Sequence, residues 1–302
     1  MMMGKILVLD IGGTVIKSAL FQGGELTELR HTPSKTACVE ERAANAIEVA
    51  KGYWGFDAVG IAITGQVDMR SRTILFEYYG HFHEGGFQIG ELFEEALHCP
   101  VFVLNDSNAA ALGEATYGAG RMHRDLLLLT YGTGVGGGIV LADKLYTGSR
   151  GIAAEMGHVV THKGGRLCGC GRRGCYERYA SVTALLSAAR EIDPNIQNGF
   201  QFFDIVEHSV QLRKVLYTWV EEVVEGLCTI VYIFNPSLII LGGGIMERTD
   251  VIEMIADRFA HRVIPTFSQV KFRHAALGNC AGLYGAYIHT SKQLDEEGKQ
   301  NG

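Results

Sequence analysis

Short apolar runs alternate with helical stripes along most of this chain, and their order predicts α/β layers. Ile6 to Leu9 reads as a buried strand, followed by a turn at Gly12 and Gly13 and a second strand through Ile16 to Phe21. Gln22-Gly23-Gly24-Glu25 supplies a hairpin signal. Glu40 to Ala50 has helical spacing, Val59 to Ile63 and Val101 to Leu104 are strand-like, and Ile89 to Leu97 is amphipathic. From Leu126 the opening theme returns: an apolar run to Leu129, a glycine-rich turn from Gly132 to Gly138, a strand through Ile139 to Leu141 and an Ala142-Asp143 hairpin. The repetition predicts an internal duplication whose halves each offer a phosphate-binding turn to a shared cleft. Leu212, Leu216, Trp219, Val223, Leu227, Ile230 and Phe234 then fall on one helical stripe, ended by Asn235-Pro236. Leu238 to Leu241 is a strand running into Gly242-Gly243-Gly244, and Ala281 to Gln293 a closing helix with a frayed polar end from Glu296.

Length adds a division to this picture. At 302 residues and 47% hydrophobic side chains the chain is near the size at which single cores stop growing. The reading is a first lobe over 1–117, completed by a helix at 281–295, and a second over 118–280. Lys plus Arg total 27 against 33 Asp plus Glu, and a net charge of -6 offers no basic field for a nucleic-acid backbone. No apolar run approaches the ~20 residues that span a bilayer, and the N-terminal residues lack a signal-peptide pattern, so no membrane partner and a cytoplasmic location are expected.

Asp10-Ile11-Gly12-Gly13-Thr14 directly follows a buried strand, where glycines let backbone N–H groups approach an anion and Thr14 adds a hydroxyl. Asp10 is a carboxylate for Mg²⁺, and Lys17 on the next strand joins the nucleotide-binding set. An ordinary hairpin with a capping Asp is the alternative. Gly132-Thr133-Gly134-Val135-Gly136-Gly137-Gly138 is a denser version of the device, and Gly242, Gly243 and Gly244 could bring backbone against an adenine ring. No Walker A lysine motif and no His-Arg-Asp or Asp-Phe-Gly element is present, which disfavours P-loop and protein kinases.

Asn105-Asp106-Ser107-Asn108 sits between a strand and an alanine-rich helix, where open α/β sheets place ligand groups. Asp106 can accept a proton from a sugar hydroxyl while Asn105 fixes its neighbours, although these residue types are also good helix N-caps. His158, Cys168, Cys170 and Cys175 form a zinc-ligand set, three of them in Cys-Gly-Cys-Gly-Arg-Arg-Gly-Cys. Glu155 and Glu177 flank that loop as candidate acceptors for hydroxyls.

Together these motifs, in this order over nearly the whole chain, resemble the ROK family (repressor, open reading frame, kinase). The resemblance implies an actin-like ATPase (sugar kinase/hsp70/actin) fold: two lobes, each a mixed sheet flanked by helices, closing on ATP, Mg²⁺ and a hexose, often as a homodimer. It also implies transfer of the γ-phosphoryl group to the 6-hydroxyl of a hexose, glucose foremost, with N-acetylmannosamine, fructose or allose as alternatives. Asp106 looks like the catalytic base; Gly65, Asn105, Glu155, His158 and Glu177 match sugar-contacting positions, His158 doubling as a ligand of a structural zinc. The family commonly has Pro-Gly where this chain has Thr64-Gly65, Lys at Val15 and Gly at Ala154, and Tyr78-Tyr79-Gly80-His81-Phe82-His83 lacks the usual Asn-Leu-Pro-Gly-Trp pattern. The family also includes sugar-responsive repressors with a helix-turn-helix ahead of the first glycine turn; nine residues before Asp10 leave no room for one. A sugar-binding protein without catalysis is a third reading, against which the retained Asp106 argues.

Overall fold

The computed structural model describes residues 4–34, 38–76 and 82–300. The chain divides into two units, one built from residues 1–118, 145–153 and 279–302, the other from 119–144 and 154–278. The short return of 145–153 to the first unit has no counterpart in a single sequence boundary near residue 118. Leu145 packs on the first unit's core, and the left-handed Gly151 passes so close to Val67 and Met69 that a side chain would not fit.

In the first unit the leading strands are β1 (Ile6–Ile11), β2 (Val15–Gln22) and β3 (Glu25–Pro33), joined through the Gly23-Gly24 turn, where both residues have positive φ. Helix α1 (Val39–Lys51) leads to β4 (Ala58–Ile63). A small antiparallel sheet follows, of β5 (Gln66–Asp68), β6 (Thr73–Phe76) and β7 (Phe82–Phe87). Then come α2 (Ile89–Leu97), β8 (Val101–Asn105) and α3 (Asp106–Thr116). The main sheet has the order β3-β2-β1-β4-β8; β1 runs antiparallel to β2 and parallel to β4, which is parallel to β8.

Helices cover both faces of this sheet, which is why β1 reads as a continuous apolar run from Ile6 to Leu9 rather than an alternation. Leu7, Leu9 and Ile11 pack with Val39, Ala43 and Phe93, while Ile6 and Val8 pack with Leu112, Leu283 and Tyr287 from α3 and the closing helix. Those two helices cross closely, since a Cβ at Gly285 would lie 1.7 Å from the Ala109 carbonyl oxygen.

The second unit repeats the plan. Strands β9 (Leu126–Tyr131), β10 (Val135–Leu141) and β11 (Lys144–Leu145) are followed by helices α4 (Glu177–Ala180), α5 (Val182–Arg190), α6 (Gly199–Val206) and α7 (Val210–Phe234). Next come β12 (Leu238–Gly242), α8 (Thr249–Arg262) and β13 (Lys271–His274). In the sheet order β11-β10-β9-β12-β13, β9 runs antiparallel to β10 and parallel to β12, and β12 runs parallel to β13, as β1, β2, β4 and β8 do in the first unit. Ala142 and Asp143, both at positive φ, turn the chain at the place Gly23 and Gly24 hold in the other half. Leu212, Leu216, Trp219, Val223 and Leu227 form the buried stripe of α7, and left-handed Asn235 stops it ahead of Pro236.

Two expectations change. The glycine-rich turn ends at Gly134, and Gly136, Gly137 and Gly138 lie within β10. The closing helix, α9 (Ala281–Gln300), continues through the polar residues expected to fray. Among the described residues no helix is long and apolar enough to cross a membrane.

Candidate functional site

Unit 1 gathers its candidate residues at the C-terminal ends of three neighbouring strands. After β1 the Gly12 amide donates to the Val15 carbonyl at 3.1 Å, closing a tight turn whose tip, Gly13 and Thr14, is exposed. Lys17 Nζ lies 2.9 Å from Asp10 Oδ2. Burial pushes the Asp10 carboxyl above the ordinary carboxylate range; Lys17 opposes this and the nearby Asp106 charge adds to it. The first turn of α9 comes close as well, because a Cβ at Gly282 would sit 3.1 Å from Asp10 Oδ2.

Asp106 is the first residue of α3, immediately after β8. Its Oδ2 accepts a hydrogen bond from the Thr64 hydroxyl at 2.9 Å, and Oδ1 accepts from the Ser107 amide at 2.7 Å. Asn105 caps the helix: its Oδ1 accepts from the Ser107 and Asn108 amides, and its Nδ2 donates to the Gly65 carbonyl at 2.9 Å. Capping therefore occupies the Asn105 carbonyl, and one N–H remains for another acceptor. Gly65 has φ 122°, which a side chain would strain.

Unit 2 places its glycine turn in the matching position. The Gly132 amide donates to Gly134 O at 3.0 Å, and Gly132 and Thr133 are exposed. Two further glycines have packing reasons. A Cβ at Gly137 would meet Met156 Cε at 2.3 Å, and one at left-handed Gly243 would meet Tyr131 O at 2.0 Å. Gly242 ends β12, while Gly244 opens a short 3₁₀ turn, with nothing within 4 Å of its added Cβ.

His158, Cys168, Cys170 and Cys175 offer four ligand atoms that all lie within 4.8 Å of one another. Cys168 Sγ is 3.7 Å from His158 Nδ1, and Cys170 Sγ is 3.6 Å from Cys175 Sγ, close to the ~3.8 Å edge of a tetrahedral zinc–thiolate site. Backbone bonds from Cys168 N to Arg172 O and from Gly174 N to Arg166 O wrap the loop. Left-handed Gly174 has no room for a Cβ, which would lie 1.7 Å from His162 O. The donor set, two buried thiols among it, fits a metal ion.

The loop also lies beside both flanking glutamates. Cys168 Sγ donates to Glu177 Oε1 at 3.0 Å, and burial with this carboxylate pushes the thiol well above its usual range. His158 turns Nδ1 toward the cluster and Nε2 toward Glu155, 4.0 Å from its Oε2. Glu177 Oε2 would be 2.6 Å from a Cβ at Gly134, so the same carboxylate borders the glycine turn.

Sequence reasoning missed two links. The Thr64 hydroxyl on Asp106 follows from in-register pairing of Ile63 with Asn105, which only the sheet order reveals. The hydrogen bond between the Tyr131 and Tyr176 hydroxyls is likewise invisible without packing. Tyr78, Tyr79, Gly80 and His81 lie outside the described residues, as do the side chains of Phe82 and His83. A cavity of about 410 Å³ beside α5 and α7 contains none of the candidate residues.

The duplicated sheets and paired glycine turns define an actin-like ATPase fold of the sugar-kinase type. Residues 6–293 match the ROK family, and the chain belongs to it. It is 32% identical over 311 residues to a glucokinase of Streptomyces coelicolor, covering 94% of this chain and 96% of that protein. It is 31% identical over 299 residues to an N-acetylmannosamine kinase of Yersinia pseudotuberculosis, covering 97% and 100%. The crystal structure of a ROK family glucokinase from Streptomyces griseus in complex with glucose and AMPPNP superposes with a TM-score of 0.79 at 29% identity, over 94% of this chain and 98% of that one.

Proposed function

We propose that this protein is an ATP-dependent hexose kinase that transfers the γ-phosphoryl group to the 6-hydroxyl of its sugar, with glucose as the first candidate. The observation that carries this reading is Asp106: a carboxylate at the end of a strand, clamped by Thr64 and Ser107 and sharing its unit with the glycine turn after Asp10. The glucokinase relatives supply the acceptor class.

In this reading the sugar O6–H proton passes to the Asp106 carboxylate as the O6–P bond forms and the bond from the γ-phosphorus to the bridging oxygen of ADP breaks. Asp106 chiefly orients the nucleophile, since phosphoryl transfer has a loose transition state. Gly12, Gly13, Thr14, Gly132, Thr133 and Gly134 present backbone to the phosphates, and Lys17 and Gly244 complete the nucleotide set. Asp10 is the carboxylate to hold Mg²⁺, which when bound neutralises charge on the β- and γ-phosphates. Asn105, Gly65, Glu155, His158 and Glu177 take the sugar hydroxyls.

His158, Cys168, Cys170 and Cys175 would hold zinc in a structural role: four protein ligands would leave no position for water, and the closed loop would keep Glu155 and Glu177 near the sugar. A homodimer in the cytoplasm is the assembly and location this reading adopts. ADP release measured across glucose, N-acetylmannosamine, fructose and allose tests the function, with Asp106→Ala as control. Sugar-dependent turnover that falls by about 10²- to 10⁴-fold in the variant is expected. Wild-type protein with no sugar-dependent turnover would remove the claim.

A further inference from the structure

Strands β4 and β8 are parallel neighbours in register, Ile63 against Asn105, so the two residues that follow β4 stand beside the two that carry the sugar chemistry. Each bonds to one of them. Gly65 accepts from Asn105 Nδ2 and Thr64 donates to Asp106 Oδ2, both at 2.9 Å. The Thr64 bond differs in kind, because Ser107 and Asn105 already complete the helix cap without it.

We infer that Thr64 is a positioning residue for the reaction, its hydroxyl fixing the rotation of the Asp106 carboxylate so that one oxygen stays aimed at the sugar hydroxyl. The inference rests on the kinase reading above. The Ser107 amide and hydroxyl hold Oδ1 from the helix side, at 2.7 and 3.3 Å. With contacts on that one oxygen alone the carboxylate plane can rotate about the Cβ–Cγ bond, whose torsion is broad. A donor on Oδ2, from a different strand, removes that freedom. A planar group held at both oxygens by donors from two elements keeps one orientation, and orientation is what a loose phosphoryl-transfer transition state asks of its base. Thr64 is partly buried at the end of β4, so the bond is shielded from water while the side chain stays near the ligand face.

The test compares Thr64→Val, which keeps the shape and removes the hydroxyl, with Thr64→Ser, which keeps the hydroxyl. Steady-state kinetics with the best sugar and ATP are measured beside thermal midpoints. The expected result for Thr64→Val is a kcat lower by about 10- to 100-fold. The KM values for sugar and ATP should stay within about twofold, and Thr64→Ser should recover most of kcat. Wild-type kcat in Thr64→Val overturns the inference. Equal loss in Thr64→Ser also overturns it, because the hydroxyl would then not be the cause. If Thr64→Val does not fold, Thr64→Ala replaces it under the same criteria. A wild-type protein without sugar-dependent turnover defeats the kinase reading itself and the inference with it; an active wild type indifferent to Thr64→Val defeats the inference alone.

Discussion

The Tyr131 and Tyr176 hydroxyls lie 2.8 Å apart in the core of the second unit, tying the residue before the Gly132 turn to the residue after Cys175. Tyr176 donates to the Val223 carbonyl, so Tyr131 is the donor between the two rings. Both side chains are fully buried, and burial raises both phenols. Removing the Tyr176 hydroxyl strands a donor and an acceptor, whereas removing the Tyr131 hydroxyl takes away a donor whose partner keeps its other bond. Urea denaturation should therefore rank Tyr176→Phe as the more damaging change, by about 2 kcal/mol against about 1 kcal/mol for Tyr131→Phe. The reverse order would contradict the assigned chain of donors.

The metal site gives a second prediction. Cys170 is the more accessible thiol of the cluster and closes it at 3.6 Å from Cys175. Cys170→Ser is expected to lose bound zinc, measured by elemental analysis of the purified protein, and to raise the sugar KM through Glu155 and Glu177. Full metal content in the variant would refute the ligand assignment.

Ala154, just before Glu155, has φ 76°, in the left-handed region that disfavours a Cβ. Ala→Gly normally destabilises regular structure by about 0.5–1 kcal/mol, but here the sign should invert, with Ala154→Gly neutral to about 1 kcal/mol stabilising. The glycine common at this place in the family then has a backbone reason. A loss of stability in thermal melts of Ala154→Gly would show that the conformation carries no strain.

His289 on α9 packs edge-on to Phe102, and burial, with Lys292 assisting, pulls its pKa down to about 4. The folded state therefore holds this ring neutral where the unfolded chain, near 6.5, binds a proton. Stability from the neutral ring is full above pH ~6.5 and falls as pH drops toward ~4, by about 3 kcal/mol for this group, of which about 2 kcal/mol is lost by pH ~5. Urea midpoints at pH 7 and pH 5 read the change, and His289→Phe should flatten it. An unaltered slope in the variant would assign the acid loss elsewhere.

The elements read from sequence are those in which local pattern and tertiary setting agree. Strand β1 is apolar from Ile6 to Leu9 because helices cover both its faces, and α7 carries its own stripe and its own Asn235-Pro236 stop. The candidate metal loop was legible because its donor residues are close in sequence and chemically distinctive. Misreadings fell where glycine serves packing: Gly137 looks like part of a ligand turn but makes room for Met156 inside β10. The Thr64 bond to Asp106 joins residues 42 apart through strand pairing, and no local pattern announces such a contact.

The most direct test follows the phosphoryl group itself. Glucose, ATP and Mg²⁺ are incubated with the protein, and the product is identified by phosphorus and carbon NMR. The expected product is a phosphate ester on carbon 6, formed together with one ADP and abolished by Asp106→Ala. ATP hydrolysis that proceeds equally with and without any of the hexoses, and yields no sugar phosphate, would contradict it.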